Sequence, residues 1–430
     1  MDLRKLLFSC VLALAGGVFA VFSLSRGQER LLTGGSGPAS LGTTPAVAAP
    51  HAPERLRVDF SKLPPLQQQM YLSAQRGADW LCRANQSDGR FIHGYLPALR
   101  APLEGDHYVR QVGAAFALGR AARFLHQERY AAVARQAILT LLLETTSDAQ
   151  DPHVRYTTLP VALINRLGAA GLLTLAINEL PSPAEDLLEQ SEQLCTYIRK
   201  QQLSDGALSY ADPGSQVGID PEGINYYPGE ALYGLMRSQQ YRPAAWKIDV
   251  VRKALPYYRA WWRAHKSLTL VSWQTAAYTE AYLLTKEQQF ADFVVEMNDW
   301  VCGHQYTQLD PRHPLWIGGF RESGEGDAPG SAPQVTSASY AEGLADACRV
   351  ARQAQDRTRY HTYREALERC LQFLNTLQYT EANTQHFADW YRPVLLGAFF
   401  ASHHDGNLRI DYTQHAVNAL VQYLTYLGEP

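Results

Sequence analysis

The feature that most restricts this chain is a succession of helical patterns that alternate between two kinds. From Leu66 onward apolar residues recur at helical spacing, Gly and Pro fall between the periodic segments, and no long period-2 run of β-branched residues occurs. The pattern predicts about twelve helices, near 66–86, 108–126, 128–145, 159–180, 183–202, 228–240, 243–265, 272–285, 287–303, 337–355, 358–378 and 411–427. Every second one carries small residues in its first turns, which let helices approach closely: Gly113 to Ala115, Gly168 to Gly171, Gly229 and Gly234, Ala276 and Ala277, Ala341 and Gly343, Ala416 and Ala419. The others are richer in charge, as where Arg359, Arg364, Glu365, Glu368 and Arg369 crowd a few turns. Small-faced helices inside and half-solvated helices outside make an all-α fold, an α/α toroid of about six helical hairpins, with an open helical solenoid as the rival.

Ahead of that domain, Arg4 and Lys5 precede an uncharged apolar stretch from Leu6 to Leu24, followed by Ser25 and Arg26. Residues 1–26 therefore read as an export signal or a single membrane anchor, with a buried N-terminal helix as the plain alternative. A small-residue cleavage site is available at Val18 to Ala20, but the apolar run continues past it, which favours an uncleaved anchor. Residues 27–65 are rich in Gly, Ala, Pro, Ser and Thr, the composition of a flexible linker, so the toroid occupies 66–430. Its expected place is outside the cytoplasm, in a periplasm or at a cell surface. Lys plus Arg number 39 against 42 Asp plus Glu, without the basic excess that a general nucleic-acid binder needs. Six widely spaced cysteines form no CxxC pair; they read as small buried residues with at most one or two disulfides, and no metal or cofactor motif is present.

The long connections precede the inner helices and so share one side of the ring: 87–107, 146–158, 204–226, 310–335 and 381–410. Long ordered loops usually carry function, and helix N-termini around a concavity favour bound anions or developing negative charge. Asn225 to Leu232 places Tyr226 and Tyr227 beside Glu230, whose position in a first helical turn has a dipole explanation as well as a catalytic one. In Arg409 to Leu420, Asp411 and Gln414 form a capping-box pattern, while Tyr412 and His415 share a helix face. Trp273 and Gln274, read at a helix start, suit a sugar face and its hydroxyls. Leu315 to Pro333 combines Trp316, Phe320, Arg321 and Glu322 with a Gly-rich stretch and reads as a mobile rim.

Arg90, Arg110, Arg155, Arg321, Arg392 and Arg409 all fall on this side of an otherwise mildly acidic chain. Guanidinium forks hold carboxylates bidentately, which points to an acidic polysaccharide or oligosaccharide; salt bridges to loop acids such as Asp88, Asp106 and Asp389 are the structural alternative. Glu230 and Asp411, on inner helices three places apart in a ring of six, face each other, as an inverting hydrolase requires. A non-catalytic glycan-binding or scaffold protein could use the same aromatics and arginines.

Two resemblances add to this. The turns Asn85 to Phe91 and Gln201 to Leu208, each with Ser-Asp-Gly, are similar to turns of α/α toroids, including terpene cyclases and glycan-processing enzymes, although no DxDD acid motif occurs. Arg409, Asp411, Tyr412, Asn418 and Leu420 resemble, in spacing, the final motif of the glucuronyl C5-epimerase family, as does Ala281 to Phe290 a further segment. That family's Tyr-Glu-Glu stretch is replaced here by Phe320, Arg321 and Glu322. The resemblance implies an α/α barrel and proton transfer by Tyr412 at a uronate C5.

Overall fold

The computed structural model describes residues 59–160, 164–211, 221–321 and 331–427. The expected signal or anchor, the linker as far as residue 58, and the rim from Glu322 to residue 330 lie outside the described residues. Six of the helices are α1 (Pro65–Ala84), α3 (Glu128–Leu142), α5 (Glu185–Lys200), α7 (Ala245–Ala264), α9 (Gln288–Cys302) and α11 (Arg357–Thr376). Between them run α2 (Tyr108–Leu125), α4 (Arg166–Glu179), α6 (Tyr227–Ser238), α8 (Leu268–Thr285), α10 (Ser337–Gln353) and α13 (Ile410–Leu427), with the single turn α12 (Arg392–Leu395) in the last long loop.

The second set forms the inner ring. Each of α2, α4, α6, α8, α10 and α13 packs on the next, and α13 returns to α2, so the ring closes and the open solenoid is excluded. The sequence explains the division of labour. In α4 every residue from Leu167 to Glu179 is buried, whereas α5 buries one stripe, including Leu187, Leu194 and Ile198, and exposes charge elsewhere. α4 crosses α6 closely: a Cβ on Gly171 would lie 2.7 Å from the Ala231 nitrogen, and one on Gly234 would lie 2.8 Å from the Gly171 carbonyl oxygen. Cys82, Cys195, Cys302, Cys348 and Cys370 are free thiols, three of them fully buried.

Two helix starts differ from the sequence expectation. Asn165 caps α4, its Oδ1 accepting from the Gly168 N–H at 3.0 Å, so the helix begins after the expected residue 159. Ser267 caps α8 by accepting from the Thr269 N–H at 3.2 Å, so that helix begins at Leu268, four residues early. The long loops also contain strands too short to show alternation: β1 (Gly94–Leu96), β2 (Ala101–Pro102), β5 (Phe400–Ser402) and β6 (Asp405–Arg409) form a sheet in the order β2-β1-β6-β5, and β3 (Thr145–Ser147) pairs with β4 (Arg155–Thr157).

The Ser-Asp-Gly turns prove to be two members of a fourfold device. After α1, α5, α9 and α11 an amide residue bridges to an apolar one, as Asn85 to Phe91, Gln202 to Leu208, Gln305 to Phe320 and Gln378 to Phe399. Two residues before each bridge partner stands a glycine with positive φ: Gly89, Gly206, Gly318 and Gly397. The last three glutamines each donate both to that glycine's carbonyl and to a carbonyl of the next outer helix, as Gln378 does to Gly397 and Ser73 at 3.0 Å each. Those glycines abut the carbonyl three residues further along that helix, at Lys253, Arg369 and Arg76, where any Cβ would collide with oxygen. The Gln378 member docks the final loop on α1 and thereby closes the outer ring.

Gln378→Ala would strand two buried carbonyls and leave a void. It is expected to cost about 2–4 kcal/mol, read as a lower urea midpoint; a change under about 0.5 kcal/mol would show that this turn does not close the ring.

Candidate active site

Strand β6 feeds directly into α13. Gly94 pairs with Arg409 across the β1–β6 register, and the Ile410 N–H donates to the His93 carbonyl at 3.0 Å, so the helix start is pinned by the sheet. The expected capping box therefore does not form. The Asp411 carboxylate instead receives both arms of Arg409, at 2.9 and 2.6 Å, and Arg110 Nε of α2 at 3.3 Å, while the Gln414 side chain lies against Gly113. Asp411 is 15% exposed and the two arginines 30% and 28%. Burial pushes the Asp411 carboxyl up, but the hydrogen bonds and charge of Arg409, with Arg110, outweigh it and hold it below the usual range.

Two guanidiniums on one carboxylate leave a net positive charge at the mouth. His93, whose Nε2 lies 3.3 Å from Arg110, and His107 add none at neutral pH, because burial and then Arg110 depress both. The Arg409 guanidinium also lies 4.3 Å from the centre of the Tyr412 ring. Burial raises the Tyr412 phenol above its ordinary value, with Arg409 pulling the other way. Tyr226, at the start of α6 and 39% exposed, stands near Arg409.

One turn deeper, His415 Nδ1 meets Glu342 Oε1 of α10 at 2.6 Å, and Trp273 of α8 sets its ring edge-on to the imidazole, centroids 6.1 Å apart. Burial opposes a charge on His415, but Glu342 outweighs it and raises the imidazole above its ordinary value. Tyr233, Trp273, Glu342, Asp346, His415 and Gln422 line a cavity of about 10 Å³, space for one water.

Beneath lies a lattice of buried ions that touches every inner helix. Arg120 (α2) meets Glu179 (α4) at 3.2 Å, Arg237 (α6) meets Glu179 at 2.6 Å and Glu280 (α8) at 3.6 Å, and Arg349 (α10) meets Glu280 and Asp346 at 2.8 and 2.7 Å. Gln422 of α13 donates to Asp346 at 3.3 Å. Despite burial, Arg237 and Arg120 hold the Glu179 carboxyl at about 2.

Glu230, on α6 opposite α13, has the reverse character. It is 3% exposed, its Oε2 abuts Gly168 with no hydrogen-bond partner among the described residues, and burial alone raises its carboxyl to about 8. The ring of Tyr227 packs over it from the same turn, 6.3 Å from Tyr210.

The structure thus gathers Arg110, Arg409, Asp411, Tyr412, His415 and Trp273 around one mouth, with Tyr226 at its edge. It does not gather the rest. Arg155 is spent on the β3–β4 hairpin and α5, donating to Gln193 at 2.9 Å and Thr145 at 2.8 Å. Trp316 stacks on His313, 3.9 Å between ring centres, and Arg321 donates to the Gly303 carbonyl at 2.9 Å, both in the loop moored to α11. Because α8 starts early, Gln274 falls in its second turn and is 1% exposed, out of reach of a ligand. Arg90 pairs with Asp106 and Glu144, and Arg392 with Asp389, as the salt-bridge alternative expects. Sequence reasoning passed over Glu342, His93, His107 and the lattice; the available signal was a charge at the same depth on otherwise apolar inner helices, as Arg120 in GAAFALGRAARFL.

The class that this architecture defines is the α/α toroid. No family model matches the chain, and no curated protein matches its sequence. Among solved structures, an unsaturated glucuronyl hydrolase specific for heparin is similar at 14% identity, covering 84% of this chain and 98% of that one with a TM-score of 0.58. The unsaturated glucuronyl hydrolase of Bacillus sp. GL1, responsible for the degradation of glycosaminoglycan, matches at 11% identity over 82% and 96%, TM-score 0.58. The α-1,6-mannanase of Salegentibacter sp. HEL1_6 matches at 11% identity over 84% and 100%, TM-score 0.56. At such identities the likeness is one of fold.

Glu230 binds its proton more tightly in the folded state, between the ordinary 4.5 and about 8. The folded chain then carries the extra proton, so this group costs stability as pH rises through that window, at up to about 1.4 kcal/mol per pH unit. Glu230→Gln is expected to gain on the wild type in urea titrations from pH 5 to pH 8; a pH-independent difference would place the carboxyl in water.

Proposed function

We propose that this chain is a carbohydrate-active enzyme of an acidic polysaccharide or oligosaccharide, moving a proton at the carbon beside a uronate carboxylate in the manner of an epimerase or lyase. The observation that carries this is the pair Arg110 and Arg409 sharing Asp411 at a partly exposed mouth beside Tyr412 and His415. The C5 proton of a uronate is poorly acidic, and two guanidiniums at the carboxylate would stabilise the enolate-like charge left when it departs. Tyr412, ionised to a phenolate, takes that proton; the Arg409 guanidinium at its ring offsets part of the burial that raises the phenol. His415, whose cationic form Glu342 favours, supplies one from Nε2, to C5 in epimerisation or to the departing C4 oxygen in elimination. In epimerisation the C5–H bond breaks and a C5–H bond re-forms on the opposite face; in elimination the C5–H and C4–O bonds break, the C4=C5 double bond forms and the proton goes to the departing oxygen, so neither route needs an oxidant. The glucuronyl hydrolases and mannanase that share the fold act on glycans, which supports the substrate class.

Inverting hydrolysis is the second reading, favoured by opposite protonation on facing helices: Glu230 neutral, Asp411 ionised. Against it, Glu230 is sealed from solvent and both oxygens of Asp411 are already taken by arginine. A binding protein without turnover is the third.

Incubation with uronate polymers in deuterated water separates the three. Deuterium at C5 or an unsaturated chain end is expected, and Tyr412→Phe should suppress it by about 10²-fold or more; new reducing ends without either signal mean hydrolysis, and affinity without chemistry means binding. Arg110→Met should raise KM by about tenfold or more through the lost charged contact, an unchanged KM removing Arg110 from the carboxylate. For the location outside the cytoplasm, which rests on Leu6 to Leu24, a reporter fused after Gly37 should be active only there.

A further inference from the structure

We propose that Glu342 is a positioning residue for His415, using one carboxylate oxygen to fix the imidazole through Nδ1 and the other to brace itself against Arg120 at the top of the ionic lattice, so that Nε2 is the nitrogen offered to a ligand. This rests on the proton-transfer reading above, and extends it to a residue one helix away that touches no ligand.

The geometry is specific. Glu342 Oε1 lies 2.6 Å from His415 Nδ1, and Oε2 lies 4.0 Å from Arg120 NH1, an atom otherwise buried without a hydrogen-bond partner. Arg120 cannot swing away, because its Nε is held by Glu179 at 3.2 Å, its NH2 donates to the Tyr233 hydroxyl at 2.8 Å, and its guanidinium sits 4.5 Å over the Phe116 ring. The carboxylate thus has a fixed guanidinium at ion-pair distance below it while it orients the ring above, the arrangement by which a neighbouring acid fixes a histidine tautomer. Nε2 of His415 has no hydrogen-bond partner among the described residues, although the side chain is 25% exposed. The charged and titratable groups facing the imidazole are Glu342 and Asp346 from α10, Asp411 from its own helix, Arg409 from β6, Arg120 from α2 and Tyr233 from α6, with Trp273 from α8 at its edge. Of these only Glu342 touches an imidazole nitrogen.

The consequence for turnover can be written out. If a phenolate from Tyr412 and a cationic His415 act together, the rate rises with pH up to the His415 midpoint, stays level to the Tyr412 midpoint, and then falls. The level depends on the gap between the two midpoints, so each pH unit by which His415 titrates lower reduces it tenfold.

The test is to label the histidines of the full chain with ¹³Cε1, assign His415 with His415→Asn, and follow its titration by NMR. In the wild type His415 should titrate at higher pH than the exposed histidines of the same spectrum; a midpoint at or below theirs overturns the proposal without any variant. Glu342→Gln should move the midpoint down and Glu342→Asp should restore part of the shift, whereas a midpoint unmoved in a folded Glu342→Gln protein overturns it. On any uronate polymer that the wild type turns over, the bend that ends the acid limb should move down with that midpoint and the plateau should fall in step, and a bend that stays in place overturns the positioning role. Absence of turnover on every polymer would sink the proton-transfer reading alone, since the NMR result decides Glu342 independently.

Discussion

Six helices standing in a ring leave an axis that no backbone fills, and here the lower part of that axis is closed by charge. Arg120, Arg237 and Arg349 alternate with Glu179, Glu280 and Asp346, three positive against three negative, and each pair spans a helix boundary or braces one that does. Such a lattice adds little net stability over an apolar plug, yet removing any one member strands a buried charge at a cost of about 3–5 kcal/mol. Its pairs form only when the inner helices stand in register, at depths that bring each ion to its partner.

What stands above the lattice inherits that register. Arg120 belongs both to the floor and to the brace of Glu342, so the height of His415 is set by the same contacts that set the helices. One turn higher the sheet takes over: β1 against β6 aims Arg409 and Asp411 at the axis, where Arg110 from α2 meets them. The mouth is cationic because a single carboxylate answers two arginines, in a chain whose overall charge is −3. Outside, three of the amide and glycine turns perform a mechanical task, each glutamine fastening its outer helix to a backbone carbonyl of the next.

Legibility in the sequence followed the range of each interaction. Helix spans and the inner or outer place of each helix could be read from Leu66 to Leu427 because burial imprints a local period, and a buried helix such as α4 is apolar on every side. Tyr412 and His415 could be read as one face because three residues of helix fix their relation. The caps at Asn165 and Ser267 were missed because a single polar residue within an apolar run is ambiguous until its partner N–H is known. Two of the four amide and glycine turns were visible, where the glycine follows the amide by four residues; in the other two the glycine follows by 13 residues, Gln305 to Gly318, and by 19, Gln378 to Gly397, and the repeat disappears from the chain while persisting in space.

By itself, the sequence determined the all-α class, the alternation that makes two rings, and the side of the ring on which loops and arginines collect, because each depends on periodicity and composition within a few turns. Only the tertiary structure decided which arginines come together. Arg90, Arg155 and Arg392 are consumed by neighbours that the chain brings from other loops and helices, and Arg110 and Arg409 converge on Asp411 because ring closure sets α2 beside α13, 300 residues apart. Glu342 meets His415 by the same closure. A carboxylate and an imidazole on separate helices have no sequence signature, since their distance is fixed by packing around an axis and not by any spacing along the chain.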